Sequence, residues 1–178
     1  MNNPSPLTAL NPPAHVPPTT NTQIRAAAIV WADWAIQDRA HFTYTEGPER
    51  SHMFNSKPGS LPQSADCSQF CASLLHWAGV EHGLPKPQQP LTDTDYTGTL
   101  LVKGKRLTVD QVRPGDLIVY GPGTGTHAVF VLARISATDF WLASHGEQGD
   151  PSRVKHSDLV SYFLRAGHPG VTFLAFLL

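Results

Sequence analysis

Thiols and imidazoles are the side chains of this sequence whose spacing could support a reaction. Both cysteines fall in one stretch, Ala65-Asp66-Cys67-Ser68-Gln69-Phe70-Cys71, one helical turn apart. A disulfide at that spacing on a helix has poor geometry, so both are read as thiols, open to catalysis, metal binding or packing. Asp66 is a good N-cap, and Gln69 three residues on completes a capping-box pattern, so a helix is predicted to start at Cys67. Unpaired amides and the helix dipole in that first turn favour an anion, which lowers a thiol pKa and enriches the thiolate. The same position also suits a small apolar residue at the head of a buried helix. Placement alone therefore leaves Cys67 as nucleophile, half of a metal clip, or packing residue.

A nucleophilic thiol needs a proton acceptor. His127 follows the Gly-rich "GPGTGT" and opens the β-like run "HAVFVLARI". Alternation puts Val129 and Val131 on its face of a strand and Ala128 and Phe130 on the other. A histidine at such an edge is either solvated or a base. His145 closes the next run, "FWLASH". If the two runs pair about "SATD", both histidines lie at the open end of one hairpin. One can then take the Cys67 proton while the other holds the first by its second ring nitrogen. Cys71 points along the buried face and reads as packing. His41, His52, His76, His82, His156 and His168 have no usable mutual spacing and read as solvated or core. "GPGTGT" lacks the Lys-Ser/Thr helix start of a phosphate loop. A C-x-x-x-C pair is a poor match to zinc spacings, with the other ligands far away, so no metal site and no cofactor is expected.

The elements that must position these groups follow from pattern and punctuation. A chain of 178 residues suits one domain large enough to bury a core without staples. Residues 1 to 21, rich in Pro, Asn and Thr, are predicted to be a flexible tail, and 22–178 the folded domain. Ile24, Ala27, Ala28, Trp31, Trp34 and Ala35 recur at helical spacing, giving a helix over 22–39 whose tryptophans, with Trp77, pack in the core. "HFTYTEGPER" reads as an extended piece ending in a turn, and "NSKPGSLPQSA" as loop. The helix from Cys67 buries Phe70, Cys71, Leu74, Leu75 and Ala78 and is expected to stop at Gly79. The segment 84–104 reads as irregular, and "LTVDQVRPGD" as a short element and turn. Strands are expected at 117–120, 127–135 and 140–145 in an antiparallel meander, then a helix near 157–165 and a strand near 171–178. The fold class is α+β.

In combination, "ADCSQF" at a helix head, "VRPGDLIVY" on the next strand and "THAVFV" on the following one resemble the NlpC/P60 cysteine peptidases of the papain-like superfamily, which also contains the CHAP amidases. The resemblance covers roughly residues 24–145. It implies a papain-like fold with N-terminal helices packed on a central antiparallel sheet. It also implies a thiolate nucleophile at Cys67, a base at His127 and an orienting residue at His145, with Ser144 and Glu147 as neighbours able to displace the last. "HFTYTEG" is similar to the family's upstream segment, which implies that Tyr44 lines the site, and the resemblance sets Asp66 and Ser68 at the substrate-facing rim. Two departures bear on the subfamily. Gln69 stands where the family usually has Gly, and "HAVFV" with its long gap to His145 is closer to CHAP.

The activity so implied is a peptidoglycan hydrolase, a cysteine endopeptidase cutting an amide in the wall stem peptide through a Cys-His-His triad. The alternatives are a CHAP-type N-acetylmuramoyl-L-alanine amidase, or a metal-binding or inactive wall-binding relative. A net charge of -1 offers no footprint for nucleic acid or an anionic membrane, and no apolar run is long enough to span one. The partner expected is the stem peptide, and the state a monomer. The N-terminus lacks the basic start and apolar core of a secretion signal. That suits a bacteriophage lysin held in the host cytoplasm until release, or a virion tail enzyme, with a secreted bacterial enzyme as the alternative.

Overall fold

The Ala- and Trp-rich segment after the tail forms α1 (Asn21–Gln37), with Ile24, Ala28, Ala32 and Ala35 buried along one stripe. This computed structural model describes residues 21–84, 89–146 and 149–177. Of the expected tail, all but Asn21 lies outside the described residues, as does Glu147. Small residues on the α1 stripe allow close packing on α3 (Cys67–Glu81), the helix predicted at the first cysteine. Trp31, Trp34 and Trp77 seal that junction with ring centroids 5.4–5.7 Å apart, the edge-on and tilted geometries that aromatic quadrupoles favour.

The start of α3 follows the cap logic in part. The Asp66 side chain accepts from the Gln69 N–H at 2.7 Å, but the Gln69 amide does not return to the Asp66 backbone. It donates to the Thr92 and Asp95 carbonyls instead, tying down the 92–96 loop. The predicted stop at Gly79 is displaced by one turn. Gly83, at φ +71°, terminates the helix, with its N–H on Val80 O and the Leu84 N–H on Gly79 O. Those two bonds form a Schellman end, which places the left-handed glycine just past the last helical turn.

Six strands form one antiparallel sheet in the order β3-β8-β4-β5-β6-β7. They are β3 (Lys105–Leu107), β4 (Leu117–Tyr120), β5 (His127–Arg134), β6 (Phe140–Gly146), β7 (Gly149–Lys155) and β8 (Val171–Ala175). Strands β4 to β6 make the expected meander, and β7 extends it. Neither β3 nor β7 is legible in the pattern, because neither alternates apolar and polar residues cleanly. Helix α4 (Thr97–Lys103) occupies part of the segment read as irregular. Helix α2 (His52–Asn55) and a short parallel pair, β1 (Phe42–Tyr44) with β2 (Gln63–Ala65), lead into α3. Helix α5 (His156–Arg165) covers the opposite side of the sheet.

The sheet thus separates two cores. Leu117, Val119, Ala128, Phe130 and Ala143 face α1 and α3. Ile118, Tyr120, Val129, Val131 and Leu142 face Phe163 of α5. The "RPGD" turn joins α1 to the sheet: Arg25 donates to Pro114 O and pairs with Asp116 at 2.7 Å. Gly115, at φ +91°, is required there, since a Cβ would stand 2.8 Å from the Arg25 Cγ.

Candidate functional site

Cys67 opens α3 and is 6% exposed, at the margin of the α3-side core. The parallel β1–β2 pair sets Tyr44 beside Ala65, two residues before Cys67, so the upstream tyrosine reaches the helix head. The His145 ring packs in the same place, its centroid 5.5 Å from Tyr44, 5.4 Å from Phe70 and 6.2 Å from Phe42. Phe70 lies one turn along α3 from Cys67. Cys67, Tyr44 and His145, far apart in sequence, are therefore gathered on one face of the sheet.

The electrostatics of Cys67 differ from the expectation of a dipole-lowered thiol. Burial pushes its pKa up to about 11, and the charges of Asp66 and Glu46 act in the same direction. Backbone N–H groups of Ala128 and Ser68 aimed at the sulfur pull the other way without overcoming burial. Desolvation of a thiolate outweighs one helix end when almost no water reaches the sulfur. The resting group is a thiol held between two amides that favour its ionised form. Tyr44 is likewise raised, first by burial and then by the Cys67 charge, and its hydroxyl donates to Glu46 at 3.0 Å. Cys71 is fully buried inside the helix packing, and burial raises its pKa strongly.

His127 stands elsewhere. In register it faces Tyr120 on β4, and its ring stacks on Phe163 of α5 at 5.8 Å. Its Nε2 shares a 2.9 Å hydrogen bond with the Ser144 hydroxyl. Ser144 and His145 are consecutive on β6, so their side chains leave opposite faces of the sheet. Both histidines do lie at the open end of the β5–β6 hairpin, but His127 points toward α5 and His145 toward α3. Burial, and then the His145 charge, lower the His127 pKa to about 4, so it is a neutral imidazole under ordinary conditions.

Asp66 and Ser68, expected at the rim, are both buried and turned inward. The Asp66 carboxylate accepts from the Ser68 hydroxyl at 2.7 Å as well as from the Gln69 N–H. Its other oxygen is taken by Arg50, whose Nε lies 2.5 Å away. Arg50 and Glu46 are the residues of this site that sequence reasoning passed over; they belong to "TEGPER", read only as a turn, where no periodicity marks a side chain as inward-facing. Among the described residues no three His, Cys, Asp or Glu side chains converge as metal ligands would.

No protein-family model matches the sequence, and no curated protein matches it. Solved structures do. The fold is similar to that of RipB from Mycobacterium tuberculosis, described as a peptidoglycan hydrolase, with a TM-score of 0.53 at 18% identity over 95% of this chain and 74% of that one. RipA, described as a resuscitation promoting factor interacting protein, aligns with a TM-score of 0.47 at 16% identity over 88% of this chain and 63% of its own. The RipB likeness carries the fold: this is the NlpC/P60-type, papain-like α+β architecture implied by the motif order.

Proposed function

We propose that this chain is a peptidoglycan hydrolase, a cysteine endopeptidase that cuts an amide bond in the wall stem peptide. The observation that carries the reading is the seat of Cys67, at a helix head with Ala128 and Ser68 amides on its sulfur, on the face of the sheet where the His145 ring packs on Tyr44 and on Phe70 of the same helix. Cys67 Sγ attacks the amide carbonyl carbon as its proton passes to an imidazole. The same imidazole returns the proton to the departing amine, leaving a thioester that water then hydrolyses. Amides at the start of α3, the Cys67 N–H among them, hold the oxyanion.

The sheet faces favour His145 as that imidazole, in place of the His127 base that the family resemblance implies. His127 is engaged with Ser144 on the far side and is a poor proton acceptor near pH 7. The RipB fold supports the substrate class, since a relative of the same architecture is described as acting on peptidoglycan.

The test is digestion of purified cell walls by the wild type and by Cys67→Ala, followed by assay of new amino groups and mass spectrometry of the muropeptides. The reading expects amines from the wild type alone and fragments cut within the stem. Equal release by both proteins would sink it.

A further inference from the structure

The guanidinium of Arg50 lies at the junction of three segments. Its Nε donates to Asp66 Oδ2 at 2.5 Å, and its Nη2 to the Asp95 carbonyl at 2.7 Å and the Ser68 hydroxyl at 3.3 Å. Asp66 is the N-cap whose other oxygen fixes the first turn of α3. Arg50 itself sits in a short 3-10 turn, Pro48–Ser51, that follows the Tyr44–Glu46 rim. Beyond Asp95 O, the Asp95 carboxylate is held by Lys103 of α4 at 2.8 Å, so the arrangement is braced on its outer side. One planar cation thereby ties the upstream rim, the helix head and the 92–96 loop together, with the fork geometry that only arginine offers.

The charges around Cys67 give this brace a chemical meaning. Two carboxylates act on the sulfur, Asp66 and Glu46, the Cys67 charge in turn raises the Tyr44 hydroxyl, and the His145 ring packs against Tyr44 and Phe70. Glu46 has the Tyr44 hydroxyl as its hydrogen-bond donor, and among the described residues it forms no ion pair. Asp66, adjacent to the nucleophile in sequence, would be the worse neighbour for a thiolate were it unpaired. A like charge next to an ionising group disfavours its ionisation, and an opposite charge on that neighbour relieves it.

We infer that Arg50 is a positioning residue for the thiol: it neutralises Asp66 and pins the helix cap, so that Cys67 can ionise beside a carboxylate. The inference rests on the proposed nucleophile, yet its readout needs no substrate. The rate of Cys67 alkylation by iodoacetamide, followed across pH by peptide mass spectrometry to separate Cys67 from Cys71, reports the thiolate directly. Removing the cation leaves Asp66 charged and unpaired, so the alkylation midpoint of Arg50→Met should move up, slowing the reaction about three- to tenfold at any pH below it. Arg50→Lys keeps the charge and loses the fork, and should fall between. In an Asp66→Asn background, which keeps a capping oxygen without the charge, Arg50→Met should shift the midpoint little.

An unchanged midpoint in folded Arg50→Met overturns the inference. So does an equal shift with and without Asp66→Asn, which would make Arg50 act on the sulfur directly. Should Arg50→Met not fold, Arg50→Lys decides alone: a raised midpoint supports the inference and a wild-type midpoint overturns it. Failure of the hydrolase reading appears separately, as a chain that alkylates as described and releases no amines from cell walls.

Discussion

The two faces of the sheet carry the same kinds of side chain to different ends. Toward α3, His145 is fully buried among Phe42, Tyr44 and Phe70 at the head of the cysteine helix. Toward α5, each imidazole has a hydroxyl: His127 with Ser144 at 2.9 Å, and His156 with Tyr120 at 2.5 Å. The His127 ring, bonded to a hydroxyl and stacked on Phe163, is satisfied and neutral, which is a structural role. An imidazole on the face that also carries a thiol flanked by amides is the one available to the proposed chemistry. Position along a strand decides between these roles, because the side-chain period of two turns consecutive residues to opposite faces.

The largest effect that sharpens this contrast is in turnover. Cys67→Ala should abolish hydrolysis, and His145→Ala should cost about 100- to 10,000-fold in kcat, the range for loss of a proton-transfer group. His127→Ala, on the far face, loses no such group and should stay within about tenfold of wild type when assayed below its unfolding temperature. Initial rates of amine release on cell walls provide the comparison. A His127→Ala loss as deep as that of His145→Ala would break the division of roles and restore the order implied by the motifs.

Much of this plan was legible in residue types. Asp66 marked the start of α3, and the alternation in "HAVFVL" assigned Val129 and Val131 to the His127 face, in keeping with the two cores. What alternation could not say is which face α3 would cover. That depends on whether Ala128 or His127 meets the helix, a long-range packing choice: the small Ala128 lets the helix approach and leaves its amide free for the Cys67 sulfur. Arg50 was illegible for another reason. Its partners lie 16, 18 and 45 positions away, and no local rule couples a turn arginine to a helix cap. The strand β7, "GDPSRVK", has Pro and Gly in it and no apolar alternation; it is a strand because β6 offers it an edge.

Core truncations give the next largest effect, and they too should differ by face. Phe70 is completely buried against Phe42 and His145. Phe70→Ala should cost about 3–5 kcal/mol in urea unfolding, as large-to-small changes in a closed core do. Phe163, in the core between α5 and the sheet, keeps 8% exposure, and Phe163→Ala should cost less. Removing it also admits water to His127, so the pKa of that imidazole should rise toward its ordinary value, which histidine NMR titration would detect. A Phe163→Ala protein destabilised as much as Phe70→Ala would mean the α5 face is not the looser of the two.

Acid stability isolates His127. Its folded pKa of about 4 lies below the roughly 6.5 of an unfolded chain. Well above pH 6.5 both states carry a neutral ring and the group contributes no pH dependence. As pH falls from 6.5 toward 4 the unfolded chain binds a proton that the native state refuses, and stability drops by up to about 3 kcal/mol. Thermal unfolding at pH 7 and pH 4.5 should show that loss in the wild type and a smaller loss in His127→Asn, which cannot titrate. Parallel curves for the two proteins would show that His127 is not the buried neutral ring of the α5 face.

The smallest effect concerns the other imidazole of that face. Burial lowers the His156 pKa, with the Asp139 charge opposing, and the Tyr120 hydroxyl supplies its Nδ1 with a partner. Tyr120 is fully buried and stacks on Phe163 at 5.2 Å, so Tyr120→Phe keeps the ring packing and removes only the hydroxyl. The cost should be about 1 kcal/mol, the net worth of one hydrogen bond with a partner left behind. Turnover on cell walls should stay at the wild-type level, because the hydroxyl and the thiol lie on opposite faces. Denaturant unfolding and amine release measured on one preparation read both quantities. A loss of turnover without a loss of stability would tie the α5 face into the chemistry, and the sheet would then transmit between its two sides rather than divide them.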